Sequence, residues 1–325
     1  MALRHELHAH AELAGGEVET SRIIRDFLDL HEPDGLVAEL GGFGLAAVFE
    51  GPEEGPSVMF RTEIDAVPVQ ECNDVNYRSR RPGVSHTCGH DGHAAIVAGL
   101  ASRLSRRPIR RGRVLLLFLA LHNLPREKFG EIQIKSGPFA SGSVGVILRF
   151  LGKTSHAAYP EQGESPALAA AQLIQELTVL PDSLGLHDGI ARLTVIHARI
   201  GEAAFGTTPG EAEVMATLRS DREDVLNRLR EAVVDQAQRI AQAHGLEHAH
   251  SWTDDFPVTT NHPEAVALVE AAAKAGGVAL AWRDEAYPWS EDFGWFTRRF
   301  KGALFGLGAG HEAPALHSPE YDFPD

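Results

Sequence analysis

The chain has 325 residues, of which 43% are apolar and 23% are charged, and its formal net charge is −15. This length and composition indicate a globular protein of about two domains, and the negative charge disfavours binding to nucleic acid or to an anionic membrane surface. No apolar signal segment or membrane-spanning run is visible, and two cysteines exclude a disulfide scaffold and favour a reducing, cytoplasmic location.

Helical and strand patterns alternate over the first 121 residues. The predicted helices cover 3–13, 20–30 and 91–105, and the predicted strands cover 45–50, 57–61 and 113–121. Glu63 and Asp65 directly follow the second strand, and the carboxyl ends of strands are where α/β sheets place ligands. This part of the chain therefore predicts an α/β fold with polar residues at strand ends.

A different pattern occupies the middle of the chain. The predicted strands there cover 144–151, 190–200, 211–219 and 246–252, and the predicted helices cover 166–180 and 221–244. The order β-α-β-β-α-β is that of ferredoxin-like domains. We therefore predict an inserted ferredoxin-like domain at 143–252, between the two parts of an α/β catalytic domain at 1–142 and 253–325. The last part is predicted to hold helices at 263–275 and 290–299 and a short strand at 304–307.

The densest group of reactive side chains is the segment HTCGHDGHAA at 86–95. Cys88 and His90 are two residues apart, and His93 follows three residues later. Short Cys-x-His spacing brings sulfur and nitrogen donors together, as a zinc-type metal site requires. The rival interpretation is a nucleophilic Cys88–histidine dyad, but such dyads usually unite distant segments of a chain.

Other candidate ligands lie far from this segment. His122 directly follows the predicted strand 113–121, and His317 lies in a loop rich in Gly, Ala and Pro near the end of the sequence. Together with Cys88 and His90 they form a candidate set of four ligands. Asp65 is a candidate for orienting a metal-bound imidazole, a role that carboxylates commonly fill.

These motifs together resemble the M20 metallopeptidase family, in the amidohydrolase branch that includes N-acyl-amino-acid, hippurate and auxin-conjugate hydrolases. The resemblance covers nearly the whole chain, and the segments that carry it are FRTEIDAVPVQE (60–71), GVSHTCGHDGHAA (83–95), LHNLP (121–125), GKTSHAAYPEQGESPALAA (152–170), SEDF (290–293) and LHSPEYDF (316–323). It implies an α/β catalytic domain with an inserted ferredoxin-like lid, which often mediates dimerisation.

The resemblance also implies roles for particular residues. Four residues are expected to be metal ligands: Cys88, His90, His122 and His317. Asp65 is expected to orient the site, His156 on the lid to reach a substrate carbonyl or carboxylate, and Arg219 to contact substrate. The implied cofactor is one or two divalent ions (Zn, Mn, Co or Ni). The implied partners are a small N-acyl amino acid or peptide and, through the lid, a second copy of the chain.

One departure from the family pattern concerns the chemistry itself. Family members carry two glutamates shortly after the strand that here covers 114–118, one as general base and one as metal ligand. This chain has no Asp or Glu between Asp91 and Glu127. Three residues between that strand and His122 are too few for a crossover connection between parallel strands, so we expect the two strands to be fused or rerouted. Glu127 and Glu131 are conceivable substitutes without motif support.

A second departure is the lid segment FGTTP at 205–209, where relatives have an Asn-Val-Ile-Pro element that bears on recognition of the substrate carboxylate. The sequence therefore leaves two functions open. The first is a metal-dependent amidohydrolase whose activity is impaired by the absent glutamate pair. The alternative is a non-catalytic, metal-binding or dimeric scaffold that descends from the same family.

Overall fold

The computed structural model describes residues 1–117 and 122–325 of the chain. In chain order, the helices of these residues are α1 (Ala2–Ala9), α2 (Val18–Asp29), α3 (His90–Arg106), α4 (Ala167–Thr178), α5 (Leu180–Ser183), α6 (Glu223–Ala243), α7 (Pro263–Gly276) and α8 (Gly294–Thr297), with one 3₁₀ turn at Pro160–Gln162. The strands are β1 (Gly35–Leu40), β2 (Gly44–Glu50), β3 (Glu53–Arg61), β4 (Arg111–Leu117), β5 (His122–Pro125), β6 (Ile132–Ile134), β7 (Gly137–Ala140), β8 (Gly142–Leu151), β9 (Ala191–Ile200), β10 (Glu211–Ser220), β11 (Glu247–Phe256), β12 (Thr259–Asn261), β13 (Leu280–Trp282) and β14 (Gly306–Gly310). The predicted mixed α/β fold class is confirmed.

The chain divides into two compact units that do not follow the sequence continuously. The first contains 1–133, 272–281 and 305–325, and the second contains 134–271 and 282–304. The predicted boundaries at 142/143 and 252/253 enclose only the ferredoxin-like segment. The predicted division into a catalytic domain and an inserted ferredoxin-like domain stays a prediction.

The first unit contains a four-stranded sheet in the order β1-β2-β4-β3. Strands β3 and β4 are parallel, and α3 lies between them in the chain, so β3-α3-β4 is a βαβ unit. Apolar side chains of α1, α2 and α3, among them Leu7, Ile24 and Val97, pack on this sheet with Leu116 of β4. This packing places the start of α3 beside the loop that follows β3.

The predicted strand 113–121 is not one continuous element of the described chain. Strand β4 ends at Leu117, residues 118–121 lie outside the described residues, and β5 begins at His122. Strand β5 belongs to a different sheet, with the order β13-β6-β14-β5, and pairs in parallel with β14. His122 therefore lies at the start of β5 in a different sheet, and the predicted end of the apolar strand at 121 lies outside the described residues.

The second unit contains an antiparallel sheet in the order β11-β8-β10-β9. With α4 and α6 this gives the predicted β-α-β-β-α-β sequence. Alternate side chains of β8, from Val144 to Phe150, are buried, because a strand turns every second residue to the same face. Residues of α6 such as Leu229 and Val233 cover that face at helical spacing.

One predicted helix is much shorter than expected. The segment 290–299 contains only α8, whose N-cap is Phe293. The Ser290 hydroxyl does not cap a helix and instead accepts a hydrogen bond from Arg219 Nη1 at 2.8 Å. No helix among the described residues is long and apolar enough to cross a membrane.

Candidate metal centre

The turn that carries Cys88 and His90 is shaped by two glycines. Gly89 has φ = 85°, a left-handed conformation that favours glycine, and a Cβ there would lie 2.7 Å from Asn123 Nδ2. A Cβ on Gly92 would overlap the Phe323 ring. The two glycines of the segment CGHDGH therefore allow the close approach of β5 and of the 316–325 tail to the start of α3.

Sulfur and imidazole groups from three separate segments meet at this turn. Cys88 Sγ lies 3.8 Å from His122 Nε2 and 3.4 Å from His317 Nε2. Ligand atoms of Cys88, His90 and His122 all lie within 4.8 Å of one another, and the three residues are buried. His317 has φ = 65°, and its backbone N–H donates to Thr87 O at 2.8 Å, which ties its loop to the cysteine turn.

In both His90 and His122 the Nδ1 nitrogen is engaged in a hydrogen bond, which leaves Nε2 to face a cation. His90 Nδ1 lies 2.8 Å from Asp65 O and 3.0 Å from Asp65 Oδ1, so Nδ1–H donates to both oxygens and Nε2 is the nitrogen left for a cation once its proton is displaced. His122 Nδ1 donates in the same way to Asn123 O at 2.8 Å. Such outer partners orient metal-binding histidines. One sulfur and several imidazole donors in one buried group fit a divalent transition-metal ion.

The electrostatics of the group favour an ionised thiol. Burial raises the pKa of the Cys88 thiol, but the nearby His90 and hydrogen bonds from His122, His317 and His90 outweigh burial, so that the pKa lies well below its ordinary value. Burial lowers the pKa of His90, but the Cys88 thiolate and Asp65 raise it overall. A divalent cation that binds here takes the place of the imidazolium protons and is bound by the thiolate and the imidazole nitrogens.

A carboxylate not assigned from the sequence also lies at this turn. Glu63 Oε2 is 3.1 Å from His93 Nδ1, and ligand atoms of Glu63, His90 and His93 lie within 4.8 Å of one another. Burial raises the pKa of Glu63, but the hydrogen bond from His93 and the charges of His90 and Arg61 lower it well below its ordinary range. Its position directly after β3 was the available sequence signal.

A network of buried charges holds the first turn of α3 from the other side. His8 Nδ1 lies 2.9 Å from Asp91 Oδ2, and His8 Nε2 lies 2.8 Å from Glu71 Oε2. Arg4 Nη1 donates to the same Asp91 oxygen at 3.2 Å. Burial lowers the pKa of His8, but its hydrogen bonds with both carboxylates raise it to about 10. The charged His8 therefore links α1 to the turn that carries Cys88 and His90.

The other predicted site residues belong to the second unit. His156 is exposed, its Nδ1 accepts a hydrogen bond from Ala158 N at 3.0 Å, and its backbone pairs with Thr207 of the segment FGTTP. Arg219 lies in β10 and donates to Ser290. The structure thus gathers Cys88, His90, His122, His317 and Asp65 within the first unit, whereas the roles of His156 and Arg219 stay predictions.

Comparisons with known proteins agree with this arrangement. Residues 59–325 match the sequence profile described as Peptidase family M20/M25/M40. The chain is 28% identical to the N-acetylcysteine deacetylase of Bacillus subtilis, over 94% of this chain and 87% of that protein. It is 25% identical to the hippurate hydrolase of Campylobacter jejuni, over 99% of this chain and 91% of that protein.

A solved structure from Bacillus subtilis, described as a dinuclear metal binding peptidase from the M20 family, has the same fold with a TM-score of 0.82. It is 24% identical and covers 99% of this chain and 91% of its own. The alignment with the hippurate hydrolase extends over 352 positions, more than the 325 residues of this chain. That relative therefore has residues with no counterpart here.

Proposed function

The chain belongs to peptidase family M20/M25/M40, and we propose that it is a divalent-cation-dependent amidohydrolase that cleaves N-acyl amino acids or related small amides or peptides. The observation that carries this proposal is the convergence of Cys88, His90, His122 and His317 within the first unit. The N-acetylcysteine deacetylase and the hippurate hydrolase named among its relatives support the substrate class.

In this proposal Cys88, His90, His122 and His317 hold one or two ions of Zn, Mn, Co or Ni, and Asp65 orients His90. When bound, such an ion polarises an amide carbonyl as a Lewis acid. Hydrolysis breaks the amide C–N bond: water supplies OH to the acyl carbon and a proton to the leaving nitrogen. His156 and Arg219 contact the substrate's carbonyl or carboxylate, as the family resemblance implies.

We further propose that turnover is slow. The segment between Asp91 and Glu127 contains no carboxylate, so the general base expected there is absent. General-base catalysis contributes about 10²–10⁴-fold to a rate. Glu131 offers no evident rescue, because its carboxylate pairs with Gln133 and Lys128. The second candidate is a non-catalytic cation-binding scaffold, and the absence of carboxylates between Asp91 and Glu127 favours it.

Assembly and location complete the proposal. The edge strand β9 of the second unit exposes Ile196 and Ile200, and an exposed apolar edge strand is suited to pairing with another chain. This supports a homodimer through the ferredoxin-like domain. Both cysteines are free, and a reducing compartment such as the cytoplasm would keep Cys88 available to a cation.

The test is hydrolysis of N-acetylcysteine and hippurate by the purified chain, with each of the four metals added in turn. We expect release of the free amino acid at a rate 10²–10⁴-fold below about 10 s⁻¹. Cys88→Ser and His317→Asn should abolish both tight cation binding and hydrolysis. Cation binding without any amino acid release from either substrate would favour the scaffold, and a chain that binds no cation would refute both candidates.

A further inference from the structure

The four proposed ligands leave a divalent cation with uncompensated charge. Of Cys88, His90, His122 and His317, only the thiolate is anionic. One thiolate balances half the charge of a divalent ion, and a buried net charge is costly. A second anionic ligand would therefore strengthen the binding of a divalent ion at such a site. The segment between β4 and β5 contains no Asp or Glu that could supply one.

Two carboxylates lie near His90, and they approach it differently. Asp65 accepts the Nδ1–H of His90, so it holds the ring on the side away from Nε2. Glu63 is more deeply buried, with 10% of its side chain exposed against 33% for Asp65. One Glu63 carboxylate oxygen lies within 4.8 Å of a ring nitrogen of His90. The residue His90 is shared with the group that contains Cys88 and His122.

The contacts of His93 show why Glu63 is held in place. His93 Nε2 lies 2.7 Å from Asn123 Oδ1 and 2.9 Å from Asn123 N, so Asn123 fixes the orientation of the ring and turns Nδ1 towards Glu63. The Nδ1–H group then donates to Glu63 Oε2 at 3.1 Å. Both nitrogens of His93 are engaged, and His93 positions the carboxylate rather than offering a ligand.

From this geometry we propose that Glu63 is an oxygen ligand of the cation, on the side of His90, and supplies the negative charge that the absent glutamate pair would provide elsewhere in the family. His93 is its positioning residue, since ligating carboxylates are themselves held by hydrogen bonds. The proposal rests on the proposed function for the identity of the other ligands. It accounts for a site that retains its cation while lacking a base.

Co²⁺ titration of the full chain tests this proposal, because a cobalt–thiolate bond at Cys88 gives an absorption band that reports occupancy. In Glu63→Gln we expect the cation affinity to fall about 10–100-fold, with the thiolate band restored at saturating Co²⁺. Glu63→Asp, which keeps the carboxylate, should lose less. Glu213→Gln is the matched control, because Glu213 is also a buried carboxylate held by an ion pair, with Arg149, but lies in the second unit, and its affinity should equal that of the wild type.

The outcomes separate this proposal from the proposed function. If Glu63→Gln binds Co²⁺ as tightly as the wild type while Cys88→Ser does not bind it, the role of Glu63 is refuted and the proposed function stands. If Glu63→Gln loses affinity but Cys88→Ser and His317→Asn do not, the proposed ligand set fails instead. Crystals of the wild type soaked in Zn²⁺ provide a test without any variant: a Glu63 oxygen farther from the ion than about 2.2 Å would overturn the assignment.

Discussion

Apolar side chains hold the sheet of the second unit to its helices, whereas charged side chains hold the first turn of α3 in the first unit. Val146, Leu148 and Phe150 of β8 are each 1% exposed and pack beneath α4 and α6. By contrast, Arg4, His8 and Asp91 are nearly buried and held together by ion pairs. Apolar packing is non-directional and tolerates apolar substitutions that conserve volume, but a buried charge requires its own partner. We therefore expect substitutions in the two regions to differ in kind.

The largest expected loss of stability comes from the apolar region. Phe150→Ala removes a ring that is 1% exposed and should lower the free energy of unfolding by about 3–5 kcal/mol, measured by urea denaturation. The number of cations bound per folded chain should not change, because no proposed ligand lies in β8. A loss of cation binding at full folding would contradict the separation of the two regions.

The next effect depends on pH and belongs to the charged region. His8→Gln should lower the free energy of unfolding by about 3 kcal/mol at pH 6, because it removes the positively charged imidazole from a buried ion pair. The pKa of His8 is raised to about 10, so its contribution is fully present below the unfolded value of about 6.5 and is lost as the pH rises through 10. Unfolding curves of both proteins should therefore converge between pH 7 and 10. A constant difference over that range would show that His8 is not charged in the folded protein.

A smaller effect is expected at the glycine of the ligand turn. Gly89→Ala places a Cβ on a residue with φ = 85° and against the Asn123 amide, which should cost about 1–2 kcal/mol. Asn123 contacts both His93 and the Tyr321 hydroxyl, so cation affinity should fall as well. Gly99→Ala within α3 is the control, since a Cβ there meets no atom within 4 Å. Equal cation affinity in the two variants would contradict the role of the turn.

The smallest effect is expected on the outer face of α4. Leu168 is 75% exposed, and Leu168→Ser should change the free energy of unfolding by less than about 0.5 kcal/mol. Leu173 of the same helix is fully buried, and Leu173→Ala should cost about 2–5 kcal/mol. Comparable losses in the two variants would show that another surface covers the outer face of α4.

Local sequence patterns predicted much of the second unit and of the ligand turn. The β-α-β-β-α-β order follows from periodicities that each strand and helix carries within itself. The spacing of Cys88, His90 and His93 places them on one turn whatever the rest of the chain does. The predicted extent of the helix at 290–299 was wrong. The hydroxyl of Ser290 accepts a hydrogen bond from the distant Arg219, and no local pattern reports such a contact.

The amino-acid sequence by itself determined the fold class, the family resemblance and the chemical nature of the candidate ligands, since these depend on periodicity, composition and short spacings. Only the tertiary structure decided that His122 begins a strand of a second sheet. It also decided that His93 holds Glu63 and that His8 joins Asp91 to Glu71. These pairs join residues 30 to 83 positions apart, and buried polar groups are satisfied by whichever partners packing brings within reach. The proposed role of Glu63 therefore depends on contacts that only the tertiary structure shows.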